Sequence, residues 1–163
     1  MADRNHHMAI RKLTSQEAFM LEKRNAGLEA FLIERMPVLT DFMERLNVGD
    51  PALVLVEAER YLPSLDKWLK DQCIDSSDRV WLLTRLGYFI GEYLVQRLGG
   101  CWLLNDVPDS KTFGRYVVGR FVKVSNGNAM VDPFAVADEC IGNPPGRSLI
   151  SLLSSVEIAI AQA

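Results

Sequence analysis

The stretch LGYFIGEYLVQRLGGCW, residues 86–102, decides the fold of this chain. Its apolar residues recur at spacings of three and four, which places them on one side of a helix. Gly87 and Gly91 lie on that side and each costs the helix about 0.5–1 kcal/mol relative to alanine, so we expect another backbone to approach closely there. We therefore predict a long central helix that begins after Ser77 as N-cap and ends at Leu98, where two glycines stop it.

The residues before this helix show helical patterns that prolines divide. Thr14 and Glu17 have the spacing of a capping box, which marks a helix start. The helix that follows is expected to end before Pro37, because proline disfavours helical geometry in the residue before it. Another helix is predicted to begin at Asp50 as cap, with an interruption at Pro63. The N-terminal part is therefore predicted to be a layer of short helices.

After the central helix the pattern changes to one typical of strands. Residues 101–104 form a short apolar run, and residues 115–124 are rich in β-branched and aromatic side chains. A bulge at Gly119 would keep one face of the longer strand apolar. An Asn-Gly pair then favours a hairpin turn, and residues 129–131 return as a third strand. The pattern predicts a small three-stranded antiparallel meander.

The fold class predicted for the whole chain is α+β. Asp132 is expected to cap a helix after the meander, and Ser148 a final helix that covers the sheet. The chain has 163 residues, of which 48% are hydrophobic and 24% charged, which is typical of one globular domain. We predict a single domain over residues 13–163, preceded by a loose leader over residues 1–12.

Charge and composition exclude several classes of function. The net charge of −3 gives no reason to expect nucleic acid or an anionic membrane as a partner. No apolar run approaches the roughly 20 residues of a membrane span, and no secretion signal is recognisable, so we expect a cytoplasmic protein. Cofactor motifs such as GxGxxG or GxxxxGKS do not occur, and no cofactor is predicted.

The cysteines and histidines do not form a catalytic or metal-binding pattern. Cys73, Cys101 and Cys140 are widely spaced, and we expect them to be small buried apolar residues. His6 and His7 are the only histidines and fall in the predicted leader. If they stay outside the core, no histidine is available to activate a serine or cysteine nucleophile. We predict neither a catalytic nor a metal site.

One stripe of the central helix is the best candidate for a ligand site. It contains Trp81, Arg85, Tyr88 and Glu92, which share one side of the helix. Desolvation beside the indole of Trp81 would raise the pKa of the Glu92 carboxyl and suit it to general acid or base catalysis. The alternative is a structural role, in which Glu92 binds Arg85 or the strand that follows.

Two charged surfaces are candidates for binding a partner. Residues 29–59 contain seven acids and two arginines, and the acids include Glu57 and Glu59. Such a surface is either solvated or binds a basic protein. The predicted hairpin has the opposite charge and is either an ordinary sheet edge, a site for an acidic protein, or a site for nucleic acid. Its cations are Lys111, Arg115, Arg120 and Lys123.

Residues 80–141 resemble a group of small bacterial α+β domains, mostly of unknown function. Some of that group accompany toxin systems and are taken to be immunity-type proteins. The shared pattern is a helix ending in GE-x-L and LGG-x-W, a short hairpin, and a VDPF turn into a helix. In this sequence the pattern comprises Gly91, Glu92, Gly99, Gly100, Trp102, Asp132, Pro133 and Phe134. The resemblance implies a fold and transfers no catalytic residue.

We therefore expect a non-enzymatic protein-binding domain of a bacterial cytosol, of the immunity or adaptor kind. The expectation depends on segregated charge without a set of catalytic side chains. The first alternative is an enzyme or small-ligand binder that uses the stripe on the central helix. The second alternative is nucleic-acid binding by the basic hairpin, for which affinity would fall steeply with salt.

Overall fold

The computed structural model describes residues 11–162 and has the predicted α+β architecture. Over these residues the helices are α1 (Ser15–Arg45), α2 (Ala58–Lys70), α3 (Ser76–Leu98), α4 (Pro133–Gly142) and α5 (Leu149–Gln162), with a 3₁₀ turn at Pro51–Leu55. The strands are β1 (Cys101–Leu104), β2 (Tyr116–Gly119) and β3 (Met130–Val131), paired antiparallel in the order β1-β2-β3. In this part of the chain, no helix is long and apolar enough to cross a bilayer.

Helix α3 is the predicted central helix, and α1, α2, α4 and the sheet pack around it. Its N-cap is Asp75 and not Ser77, because the Asp75 carboxylate accepts from the backbone N–H groups of Ser77 and Asp78. A carboxylate stabilises these first-turn groups more strongly than a hydroxyl. At the other end Gly99 adopts the left-handed conformation, with φ of 67°, as predicted.

Both prolines that were expected to end or interrupt helices lie inside them. Helix α1, which is 31 residues long, continues through Pro37, and α2 continues through Pro63. An interior proline costs roughly 3 kcal/mol, which local sequence cannot offset. Burial offsets it here: just beyond Pro37, Phe42 and Met43 are fully buried, and α2 buries one whole side. The predicted layer of short helices is therefore one long helix and one shorter one.

The close approach at the two helix glycines is made by aromatic rings and not by a backbone. A Cβ atom at Gly91 would lie 2.8 Å from Trp102 Cε2 and nearer to two further ring atoms. A Cβ atom at Gly87 would lie 2.8 Å from Phe134 Cγ. Ordinary carbon contacts are about 3.5–4.0 Å, so neither site has room for a side chain. The glycines thus create two recesses that receive the rings from β1 and α4.

The meander is shorter than predicted. Strand β2 ends at Gly119, where Arg120 turns into the left-handed region with φ of 54°, and beyond this turn Val122 and Lys123 donate to the backbone carbonyls of Gly99 and Leu98. Strand β3 has two residues, and it pairs with Val118 and Gly119. Helix α5 packs mainly on α2 and only borders a shared cavity with β3, so the prediction that it covers the sheet is wrong.

One further prediction needs correction. Cys73 and Cys101 are exposed, and only Cys140 is buried as expected. Arg11, which was assigned to the leader, donates to the carboxylates of Glu17 and Asp109. The hydrogen bond from Arg11, together with one from the backbone N–H of Thr14, lowers the pKa of Glu17 to about 2. Residues 1–10 of the predicted leader, with both histidines, lie outside the described residues.

Candidate functional site

The half of the α3 stripe that contains Tyr88 and Glu92 faces α1 inside the protein. The Glu92 side chain is 4% exposed and accepts from Arg35 of α1 at 2.6 Å. It also accepts from the indole Nε1 of Trp102 on β1 at 3.2 Å. Two donors from two different elements therefore hold this carboxylate, which ties α3 to α1 and to the sheet.

Tyr88 is also held by a structural contact. Its hydroxyl donates to the backbone carbonyl of Phe31 in α1 at 3.0 Å. Burial is the largest cause that raises the pKa of this phenol well above its ordinary value, and Glu34 contributes. The hydroxyl therefore stays protonated at neutral pH and serves as a hydrogen-bond donor.

The other half of the stripe, Trp81 and Arg85, forms a separate stack. The guanidinium of Arg85 lies 4.2 Å from the centroid of the Trp81 ring, which is a cation–π geometry. It also donates to the Trp81 carbonyl at 3.0 Å. Burial lowers the pKa of Arg85. Trp81 also borders a cavity of about 220 Å³, together with Trp68, Cys73 and other residues.

The stripe does not bring its ionisable groups together. Arg85 and Glu92 are seven residues apart, which is about 10.5 Å along the helix axis. Glu92 binds Arg35 in place of Arg85 and also binds the strand that follows, so the predicted structural role is the one that its contacts match. Among the described residues no group of three His, Cys, Asp or Glu side chains could hold a metal ion.

The acidic surface predicted around Glu57 and Glu59 is largely neutralised within the protein. Glu57 pairs with Arg60 at 3.6 Å, and Glu59 pairs with Arg97 at 3.3 Å. Arg97 also binds Glu157 at 3.0 Å. An open cleft of about 450 Å³ is bordered by Glu57, Glu59, Arg60 and Arg97, together with the exposed Val56. Its carboxylates are mostly matched by guanidiniums of the same chain.

The basic residues of the predicted hairpin do not form one patch. Arg115 binds Asp132, the N-cap of α4, at 3.0 Å. Strand β2 separates Arg115 from Arg120 by five residues, or about 17 Å. Lys111 lies in the turn before β2, and Lys123 in the loop after it. The four cations are thus divided between the two ends of a strand.

An apolar strip on α1 is the feature that the sequence interpretation missed. Phe19 is 69% exposed and Ile33 57% exposed, and both lie on the side of the helix that faces solvent. Ala26 lies between them at a spacing of seven, and Ala30 extends the strip. We call these four residues the outward strip of α1. Their spacing was visible in the sequence, but an apolar helical spacing is normally interpreted as a core face.

Carboxylates run along one border of the outward strip. Glu22 and Glu29 are exposed, seven residues apart, and therefore on one side of the strip. Within residues 11–162 neither makes an ion pair, in contrast to Glu57 and Glu59. Lys23 is exposed on the opposite border. The strip is thus a long apolar surface with unmatched negative charge on one side.

Comparison of the chain with protein-family models, curated proteins and solved structures found no match. The residues that carry the resemblance to small bacterial domains instead have a direct role in packing. Trp102 fills the recess at Gly91 and binds Glu92, and Phe134 fills the recess at Gly87. Their pattern therefore encodes how one strand and one helix pack on α3.

Proposed function

We propose that this protein is a non-enzymatic protein-binding domain of a bacterial cytosol, of the immunity or adaptor kind, and that its partner is basic. The observation that carries the proposal is the outward strip of α1 with its glutamate border. Single exposed apolar residues are normal on protein surfaces, but an aligned strip rimmed by polar groups is typical of an interaction site. The two glutamates beside it supply the charge for a basic partner.

The contacts of the other candidate sites favour binding over catalysis. The Glu92 carboxylate is held by Arg35 and Trp102, and the Tyr88 hydroxyl by a backbone carbonyl. Each of these groups has a structural partner on a different element. Because general acid–base chemistry needs a group within reach of a substrate, these two side chains are poorly placed for it.

Charge reversal on two surfaces tests where a partner binds. The test variant is Glu22→Lys/Glu29→Lys on α1, and the matched control is Glu57→Lys/Glu59→Lys on α2. All four side chains are exposed, so both variants should fold. Immobilised wild type and control should retain the same proteins from a native bacterial lysate, and the α1 variant should lose them. Equal retention by all three, or loss only with the α2 variant, would reject the α1 face as the site.

A small-ligand site is the second candidate function, favoured by the cavity that Trp68 and Trp81 border. Aromatic walls around a cavity of about 220 Å³ suit a small apolar or aromatic molecule. A fragment screen that monitors the indole N–H signals of both tryptophans tests this function. Shifts that disappear in Trp81→Leu would support it, and a screen without saturable shifts would remove it.

Nucleic-acid binding by the hairpin has less support, because its cations are split and Arg115 is already paired. A filter-binding assay at low salt tests it directly. We expect no binding of single-stranded DNA or RNA, since a phosphate-dependent complex needs several cations along one track. Affinity that falls steeply with salt and is lost in Arg120→Gln/Lys123→Gln would favour nucleic-acid binding.

A further inference from the structure

We infer that the partner segment that binds the outward strip of α1 is a basic amphipathic α-helix, an inference that depends on the proposed protein-binding function. The strip follows the heptad spacing of Phe19, Ala26 and Ile33, over about 21 Å of helix. A surface of this shape matches the apolar seam of a second helix, which repeats at the same spacing. Ala26, near the middle, lets the partner's backbone come close.

Backbone hydrogen bonding favours a helix over an extended segment as the occupant. Helix α1 uses its backbone N–H and C=O groups internally and offers no strand edge. An extended peptide laid along it would leave its own backbone groups without partners in the contact, at a cost of roughly 1–3 kcal/mol for each buried group. A helix satisfies these groups itself. The outward strip therefore selects a helical partner.

The charges at the borders specify the partner further. Glu22 and Glu29 are about 10.5 Å apart on one border, so a partner helix meets both with two basic residues spaced seven apart. Exposed pairs of this kind contribute modest affinity each, but they fix the register and exclude acidic competitors. Anionic lipid headgroups and nucleic acid are disfavoured by the same two carboxylates.

A second copy of this chain fits the strip less well. Each copy would bring two glutamates and one lysine to the contact, so one carboxylate per chain would lack a cation. In an antiparallel pair, the two-fold axis would place the Glu22–Glu29 border of one helix against the same border of the other. Like charges in contact oppose association. The charges thus favour a different chain as the partner.

A designed peptide tests the inference in the full-length protein. The probe is a 21-residue helix of leucine, alanine, glutamine and arginine, with leucines at a and d and arginines seven apart on one border. There are two control peptides. The first has the same composition in scrambled order, and the second has glutamate in place of each arginine. Binding is measured by fluorescence anisotropy at two salt concentrations. A single helix buries only a small interface area, so we expect micromolar affinity.

We expect wild type and the Glu57→Lys/Glu59→Lys control to bind the arginine helix and neither control peptide. Glu22→Lys/Glu29→Lys and Ile33→Ser should each weaken binding about tenfold, with circular dichroism unchanged. Equal binding of the scrambled peptide, or no loss in either variant, would overturn the inference.

Two further outcomes separate this inference from the proposed function. If the arginine helix does not bind although capture from lysate still depends on Glu22 and Glu29, the helical partner is wrong and the protein-binding function stands. If sedimentation velocity shows a concentration-dependent dimer that Ile33→Ser abolishes, the occupant is a second copy, and the inference is overturned.

Discussion

Replacing Gly91 by alanine tests whether the α3 glycines exist to receive aromatic rings. In an isolated helix this change stabilises by about 1 kcal/mol, because alanine is the best helix former and glycine a poor one. In this protein the new methyl group would lie 2.8 Å from Trp102 Cε2 and closer to two neighbouring ring atoms. The Trp102 ring would therefore have to move by about 1–2 Å to reach an ordinary carbon contact.

The ring cannot move without losing other contacts. Its Nε1 donates to the buried Glu92 carboxylate, and its edge and face contact Phe31 and Tyr88. Overpacking costs about 1–3 kcal/mol, and a lost hydrogen bond to a charged group about 1.5–3 kcal/mol. After subtraction of the gain in helix propensity, we expect Gly91→Ala to lower the free energy of unfolding by about 1.5–5 kcal/mol.

Urea denaturation of a double-mutant cycle measures this effect. In a Trp102→Leu background the recess is no longer filled by an indole, so Gly91→Ala should become neutral or slightly stabilising. Gly142→Ala is the matched control, because its new Cβ would meet nothing within 4 Å. We expect the control to change the free energy of unfolding by less than about 1 kcal/mol.

Two results would refute this reasoning. One is a Gly91→Ala protein that is more stable than wild type, which would mean that helix propensity decides the outcome and that the ring relaxes freely. The other is an equal loss of stability in the wild-type and Trp102→Leu backgrounds, which would mean that the ring is not what the methyl group meets.

Four further predictions concern buried polar groups. Glu92→Ala should lower the free energy of unfolding by about 2–4 kcal/mol, because two donors lose their acceptor, whereas the exposed Glu59→Ala should cost less than about 1 kcal/mol. Asp132→Ala should cost about 1–2 kcal/mol in the same urea assay, as loss of a helix N-cap. A thiol reagent should modify the two exposed cysteines quickly and Cys140 only on unfolding; fast labelling of all three would contradict its burial. Burial raises the pKa of the Cys140 thiol from 9.0 to about 11, so the unfolded chain loses this proton at a lower pH than the folded protein does. The free energy of unfolding should therefore fall as the pH rises from about 9 towards 11, and the Cys140→Ala variant should lack this part of the fall.

Local signals in the sequence were sufficient for several elements. The capping box at Thr14, the Gly99 stop and the Asp132 cap each act within one helical turn, and all three are present as predicted. The change from helical spacing to strand-rich composition after Gly100 likewise placed β1, β2 and β3 in their order. These features could be predicted because the atoms that interact are close in sequence.

Contacts between distant residues could not be predicted in this way. Whether α1 continues through Pro37 depends on how much surface its far half buries, and Phe42 and Met43 bury theirs completely. The partner of Glu92 is Arg35, 57 residues earlier, and no local spacing links the two. Its second partner, Trp102, fits only because Gly91 leaves a recess.

By itself, the sequence determined the α+β class, the central helix and the caps at Thr14, Gly99 and Asp132. The tertiary structure decided which side of α1 faces the core, and hence that Phe19, Ile33, Glu22 and Glu29 face solvent. A helical spacing shows which residues share a side but not which side another element covers. That choice depends on packing between elements far apart in the chain, and the candidate binding surface follows from it.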